Sequence, residues 1–175
     1  MKRIQGEKNQ AIIERLDKNH NYRIRWDFKP FYNKEGIETC ISFLEKDFNY
    51  IPNIDEIKSV ILSSINEDTD EKILSGYIWK NMVIWLSQEN QFNYKAAYDL
   101  AVQTNGKNLP VTFKFGGTEN PVYYTFNDID ELSEFYAGAI KHINDTLNEG
   151  WQKKDNFDWS IYEKALYEIN TCLRF

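Results

Sequence analysis

LPVTFKFGGTENPVYYTFNDIDELSEFYAGAIKHINDTLNEG, residues 109–150, holds the patterns on which the fold class turns. Val111, Phe113 and Phe115 alternate with Thr112 and Lys114, and Val122, Tyr124 and Phe126 alternate with Tyr123 and Thr125. A period of two in β-branched and aromatic residues marks a half-buried strand. Between the two runs stands Gly-Gly-Thr-Glu-Asn-Pro, permissive backbone followed by a residue that cannot donate to a ladder. The stretch therefore predicts a β-hairpin. A long helix is expected directly after it, with Asn127 as its cap and Asp128, Asp130 and Glu131 in the first turn, where the helix dipole favours acids. Ile129, Leu132, Phe135, Tyr136, Ile140, Ile143 and Leu147 then recur at three- and four-residue spacing, one apolar stripe. Phe113, Phe115, Leu132, Phe135 and Ile140 are the expected core of this unit.

The same order is legible twice upstream. Tyr22, Ile24, Trp26 and Phe28 alternate with Arg23, Arg25 and Asp27; a turn follows at Asn33–Gly36, and Ile37, Thr39, Ile41 and Phe43 return. Asn53, with Glu56 three residues on, opens a helix in the manner of a capping box, with Ile57, Val60, Ile61 and Ile65 on its buried side. Tyr77–Trp79 and Met82–Leu86 predict a tight hairpin joined at Lys80-Asn81. Ser87 caps the next helix, whose apolar positions are Phe92, Ala96, Ala97, Leu100 and Ala101, and Asn105-Gly106 stops it. Three segments thus read strand, strand, helix. Their residues do not repeat, so the expected class is α+β rather than a solenoid: successive antiparallel β-hairpins, each followed by an amphipathic helix, packed in one compact domain.

The flanks are less patterned. Residues 3–18 predict a helix, with Ile4, Ala11, Ile12 and Leu16 on its apolar side, ended by His20-Asn21. Residues 66–72 are acidic and polar and read as a linker; residues 151–159, WQKKDNFDW, read as a joint. Ile161, Ala165, Leu166 and Ile169 predict a last short helix, capped by Asp158 or Ser160. The expected divisions are residues 1–66, 73–150 and 151–175.

Charge narrows the partners. The chain carries 27 acids against 21 bases, a net charge of −6. A binder of nucleic-acid backbones needs a concentrated basic face. Here Lys2-Arg3 and Lys153-Lys154 are short and near acids, and Arg23 with Arg25 makes at most a small patch on one strand face. No nucleic-acid partner is expected. Cys40 and Cys172 lack CxxC spacing and read as idle thiols in a reducing compartment. No apolar run approaches the length of a membrane span and no charged-then-apolar leader follows Met1, so synthesis in the cytoplasm without a membrane anchor is expected.

No motif carries catalysis. His20 and His142 sit in no zinc-binding frame, and His142 with Asp145 one turn on predicts a surface ion pair. Asp128-x-Asp130 has the form of a metal pair, but acids at a helix start are what capping and the dipole call for. Glu131, Glu134, Asp145 and Glu149 spread along one flank. Gly116-Gly117 is too short to cradle a phosphate and precedes a strand, not a helix. Neither GxSxG nor a cysteine beside a base occurs. The expectation is a chain without catalytic residues, metal or cofactor. The aromatic share is high, 15%, and Tyr77, Trp79, Trp85, Tyr123 and Tyr124 are concentrated on the hairpins. They are the candidate interaction aromatics, for a protein partner, for self-association or for stacking on a sugar face.

Three runs in order, Trp85–Tyr94 (WLSQENQFNY), Leu109–Gly116 (LPVTFKFG) and Gly150–Asp155 (GWQKKD), are idiosyncratic. Together they resemble a domain of unknown function encoded by gut-bacterial phages and prophages, often among tail and tail-fibre genes. Trp26–Tyr32 (WDFKPFY) and Pro52–Lys58 (PNIDEIK) resemble segments upstream of it. The similarity covers about Tyr22 to Trp159. It implies a phage context and a virion or tail-assembly role, so the leading expectation is a structural or tail-associated protein acting through contacts with other phage proteins. The small, acidic chain also suits a tail-fibre assembly chaperone, and the rings on the hairpins a carbohydrate-binding attachment module. The resemblance implies no catalytic residue.

Overall fold

The strand, strand, helix order occurs three times. The computed structural model describes residues 2–18, 21–116 and 120–172, so His20 and Gly117 lie outside the described residues. In chain order the elements are β1 (Ile4–Gly6), β2 (Ile13–Arg15), β3 (Tyr22–Tyr32), β4 (Glu38–Phe48), α1 (Ile54–Ser75), β5 (Tyr77–Trp79), β6 (Met82–Ile84), α2 (Gln88–Thr104), β7 (Val111–Phe115), β8 (Val122–Phe126), α3 (Ile129–Asp155) and α4 (Ser160–Cys172). The α+β class stands, with antiparallel pairing throughout. The chain gathers into two compact units: residues up to Ser64 with those from Asn156 onward, and Ile65–Asp155.

The first unit is built on a four-stranded sheet in the order β1-β4-β3-β2. Alternation along β3 sends Tyr22, Ile24 and Trp26 to one side, where they are buried. Ile13 and Leu44, their cross-strand partners, join them. Tyr162 of α4 donates its hydroxyl to the Arg25 carbonyl at 2.6 Å, which fixes α4 on this sheet, and its burial raises the pKa of that phenol. The other side carries charge. Arg23 forks onto Asp47 at 2.6 and 2.8 Å, and Arg25, only 4% exposed, bonds Glu14, Glu45 and the Ala11 carbonyl above the Phe43 ring. Arg23 and Arg25 make no free basic patch, because each guanidinium is paired with cross-strand carboxylates.

Residues 3–18 do not form the expected helix. Their apolar stripe is too thin to bury, whereas β3 and β4 offer open rows of N–H and C=O groups to pair with. Ile4 registers with Phe43 and Ile13 with Ile24. Gly6 suits the strand: a Cβ there would come 2.9 Å from the Phe43 ring.

The second unit is a cluster of rings. The β5–β6 and β7–β8 hairpins and helices α2 and α3 enclose Tyr77, Trp79, Ile84, Leu86, Tyr94, Ala101, Phe115, Phe126, Leu132, Phe135 and Ala139. Phe135 stands at its centre, with six aromatic rings between 5.1 and 6.3 Å of its own: Tyr77, Trp79, Tyr94, Phe113, Phe115 and Phe126. The expected core holds for Phe115, Leu132 and Phe135 and, partly buried, for Phe113; Ile140 is exposed instead. On α2 the buried residues are Tyr94 and Ala101, while Phe92 and Leu100 face solvent. The alanines of that sequence suit either face, and the Tyr94 ring, larger than any alanine, decided which turned inward.

Two expected breaks are helical. Residues 66–72 lie within α1, where all but the buried Thr69 are exposed. Gly150 and residues 151–155 lie within α3, whose end is Asp155. Gly150 is buried against Thr69; a Cβ there would meet Thr69 Oγ1 at 2.5 Å. The glycine lets α1 and α3 approach and does not end the helix. Caps follow the expectations more closely. Asn53 and Glu56 exchange both capping-box bonds at 2.8 and 2.9 Å, and Ser87 Oγ accepts the Asn90 N–H at 3.2 Å. Asn105 ends α2 in the left-handed region. For α3 the cap is Asp128, not Asn127: its carboxylate accepts the Glu131 N–H at 2.8 Å.

Candidate interaction surface

The β5–β6 hairpin turns through Lys80 and Asn81, both at positive φ (46° and 65°). That pairing is what a two-residue turn matched to strand twist requires. It sets Tyr77 against Ile84, Ile78 against Val83 and Trp79 against Met82. Side chains alternate between faces, so Tyr77 and Trp79 share one face and Ile78 and Val83 the other. The first pair turns inward. Tyr77 donates its hydroxyl to the Phe135 carbonyl at 2.9 Å, and burial pushes its phenol up to about 12. Trp79 packs on Phe126 and Phe135.

The outward pair is exposed, Ile78 by 64% and Val83 by 49%. Trp85, two residues past Val83, continues the row at 50%, between the fully buried Ile84 and Leu86. Its position is fixed from below. Asn90 and Gln91, in the first turn of α2, donate side-chain amides to the Trp85 and Leu86 carbonyls at 2.8 and 2.7 Å. A Gly116 N–H to Val83 carbonyl bond of 3.4 Å ties the row to the end of β7. Tyr123, on the outward face of β8 opposite Lys114, is 68% exposed.

Of the five aromatics singled out in the sequence, burial removes Tyr77 and Trp79 from any surface role, and Trp85 and Tyr123 remain accessible. Tyr124 belongs to a clasp. Its hydroxyl lies within hydrogen-bond reach of Glu131, and Lys80 Nζ meets both, at 2.7 Å from the Tyr124 oxygen. The ammonium also sits 5.4 Å from the Trp79 ring centre and 5.2 Å from that of Tyr124. The Glu131 carboxylate, then the Tyr124 hydroxyl, raise the Lys80 pKa, while the Lys80 ammonium holds the Glu131 carboxyl below its ordinary range. A lysine held as its ammonium is no nucleophile. The cluster pins the hairpin turn to β8 and the first turn of α3. Ile78 and Val83 were missed in the sequence; their alternation with Tyr77, Trp79 and Ile84 was visible, but not which face of so short a hairpin is covered.

The remaining candidates resolve into structural roles. His142 does not pair with Asp145, which Lys141 takes; its Nε2 lies 3.0 Å from the Lys72 carbonyl in the last turn of α1. Asp128 caps α3. Among the described residues no three His, Cys, Asp or Glu side chains gather around a common point, and no helix is long and apolar enough to cross a membrane. A scan against family models and searches of curated proteins and of solved structures returned no match.

Proposed function

We propose that the chain is a non-catalytic protein–protein interaction module, working in a phage virion or tail, and that it buries the Ile78–Val83–Trp85 row against another phage protein. The observation that carries the reading is that row: three large apolar side chains turned outward together on a braced hairpin. Contiguous apolar surface of this kind marks interaction sites, and tryptophan is among the residues that dominate their energetics. Bracing by Asn90, Gln91 and the Lys80 clasp holds the row in place before binding, which lowers the ordering cost of association. The phage setting rests on the resemblance of the sequence runs. A tail-fibre assembly chaperone would use the same surface transiently.

The test is capture of individually expressed tail proteins by the purified chain, in parallel with light scattering for self-association. One tail protein, or a second copy, is expected to bind the wild type, and the Val83→Asp/Trp85→Ser double variant to bind at least about tenfold more weakly. A wild-type chain that stays monomeric and captures none of them refutes the reading, as does a double variant that binds undiminished. Mass spectrometry of purified particles separates the two settings: stoichiometric copies exclude a purely transient chaperone, and absence excludes a structural part.

A further inference from the structure

Helices α2 and α3 leave an open cleft of about 540 Å³ between them, lined by Tyr98 from α2 and by Ser133, Tyr136, Ile140, Asn144 and the Lys141–Asp145 pair from α3. It lies within the second unit, on residues distinct from the outward row of the β5–β6 hairpin. Its volume falls within the range of small-molecule sites. Tyr98 and Tyr136 stack on each other with ring centres 4.9 Å apart and planes 22° apart, so each covers one face of the other and the pair offers a ligand its outer ring surface as a wall. Ile140, exposed against the amphipathic pattern of α3, supplies apolar floor.

The polar groups of the cleft are unspent. The hydroxyls of Tyr98, Tyr136 and Ser133 and the amide of Asn144 have no hydrogen-bond partner among the described residues. Donors and acceptors are both present in that set. The charges cancel, since Lys141 and Asp145 pair with each other. An anion or a cation would find no counter-charge left over, and a purely apolar ligand would bury four polar groups without partners. A molecule with a C–H face for the tyrosine wall and several neutral hydroxyls for the rest meets both conditions.

We propose that this cleft binds a neutral saccharide, one pyranose ring lying against the Tyr98–Tyr136 wall with its hydroxyls on Asn144, Ser133 and the Lys141–Asp145 pair. This goes beyond the interaction reading and does not depend on it. The test is saturation-transfer NMR and calorimetry on the full chain with glucose, galactose and N-acetylglucosamine and their linear trimers. Binding at about millimolar strength is expected for at least one trimer, with its ring C–H protons the most strongly saturated. Asn144→Ala, an exposed change that leaves the core intact, and Tyr136→Ala should each weaken it at least about fivefold, and Phe92→Ala, on the outward face of α2, should leave it unchanged. No binding of any probe at about 10 mM overturns the proposal. So does binding that neither Asn144→Ala nor Tyr136→Ala weakens, and so does a clear preference for glucose 6-phosphate over glucose, which would mean uncompensated positive charge in the cleft.

Discussion

Arg25 is buried between Glu14 and Glu45 on a four-stranded sheet, whereas Phe135 is buried among six aromatic rings beneath two hairpins. The contrast extends to composition. All five arginines lie outside residues 65–155; the rest of the chain holds 13 acids and 13 bases, whereas residues 65–155 hold 14 acids and 8 lysines and so carry the entire net charge of −6. In the first unit β3 and β4 are 11 residues each, and their ladder is long enough to absorb register shifts at Trp26/Lys29 and Phe31/Tyr32, with the Arg23–Asp47 fork pinning its first part from the polar face. In the second unit the strands are three and five residues long. A two-stranded hairpin of that length is marginal alone. Ring packing on α3 supplies what the short ladders lack, and it leaves the outward face of the β5–β6 hairpin free to be apolar.

The contrast can be broken at its centre. Phe135→Ala removes the ring that six others touch, and should cost about 3–5 kcal/mol, out of roughly 5–15 for a domain of this size. Denaturant melts, with hydrogen exchange over residues 77–150, would show it; a wild-type midpoint would mean the rings do not hold this unit. Arg25→Ala removes a buried guanidinium that bonds Glu14, Glu45 and the Ala11 carbonyl and should cost about 1–2 kcal/mol, limited because Glu14 reaches water and Glu45 keeps Arg23, while Arg23→Ala, on the more exposed fork, should cost under about 1 kcal/mol. Equal losses at the two positions would argue that burial is not what distinguishes them. Gly150→Ala forces a methyl onto Thr69 and should cost about 1–2 kcal/mol, much of it recovered in combination with Thr69→Ala. A thermal melt of the single and double variants decides it.

The smallest expected effect is on acid sensitivity. The Arg23 hydrogen bond holds the Asp47 carboxyl below its ordinary value of 3.8. That fork contributes stability that is complete above pH 3.8 and is lost as pH falls through the lower folded-state value. Asp47 is half exposed, so the contribution is under about 1 kcal/mol. Asp47→Asn should flatten the stability profile below pH 3.8, and an unchanged slope would remove the fork from the account.

Local chemistry in this chain was legible where a few neighbouring residues determine the outcome. The Lys80-Asn81 turn, the Asn53–Glu56 capping box, the Ser87 cap and the Asn105 stop depend on backbone geometry and side-chain reach within about four residues, and each was visible as a pattern. The candidate site was half legible. Trp85 and Tyr123 are exposed as an interaction role requires, but Tyr77 and Trp79, of the same residue types on the same hairpins, are core.

From the sequence alone came the α+β class, the three strand, strand, helix segments and the alternation along the strands at 22–28, 111–115 and 122–126, because periodicity is a property of a strand or helix by itself. Three things needed the tertiary structure, because each depends on a partner remote in sequence. Ile4–Gly6 and Ile13–Arg15 became strands because β3 and β4 had edges to fill. Helix α3 runs through Gly150 because Thr69 packs there. Phe135 drew Tyr77 and Trp79 inward, and that choice of face left Ile78, Val83 and Trp85 pointing out.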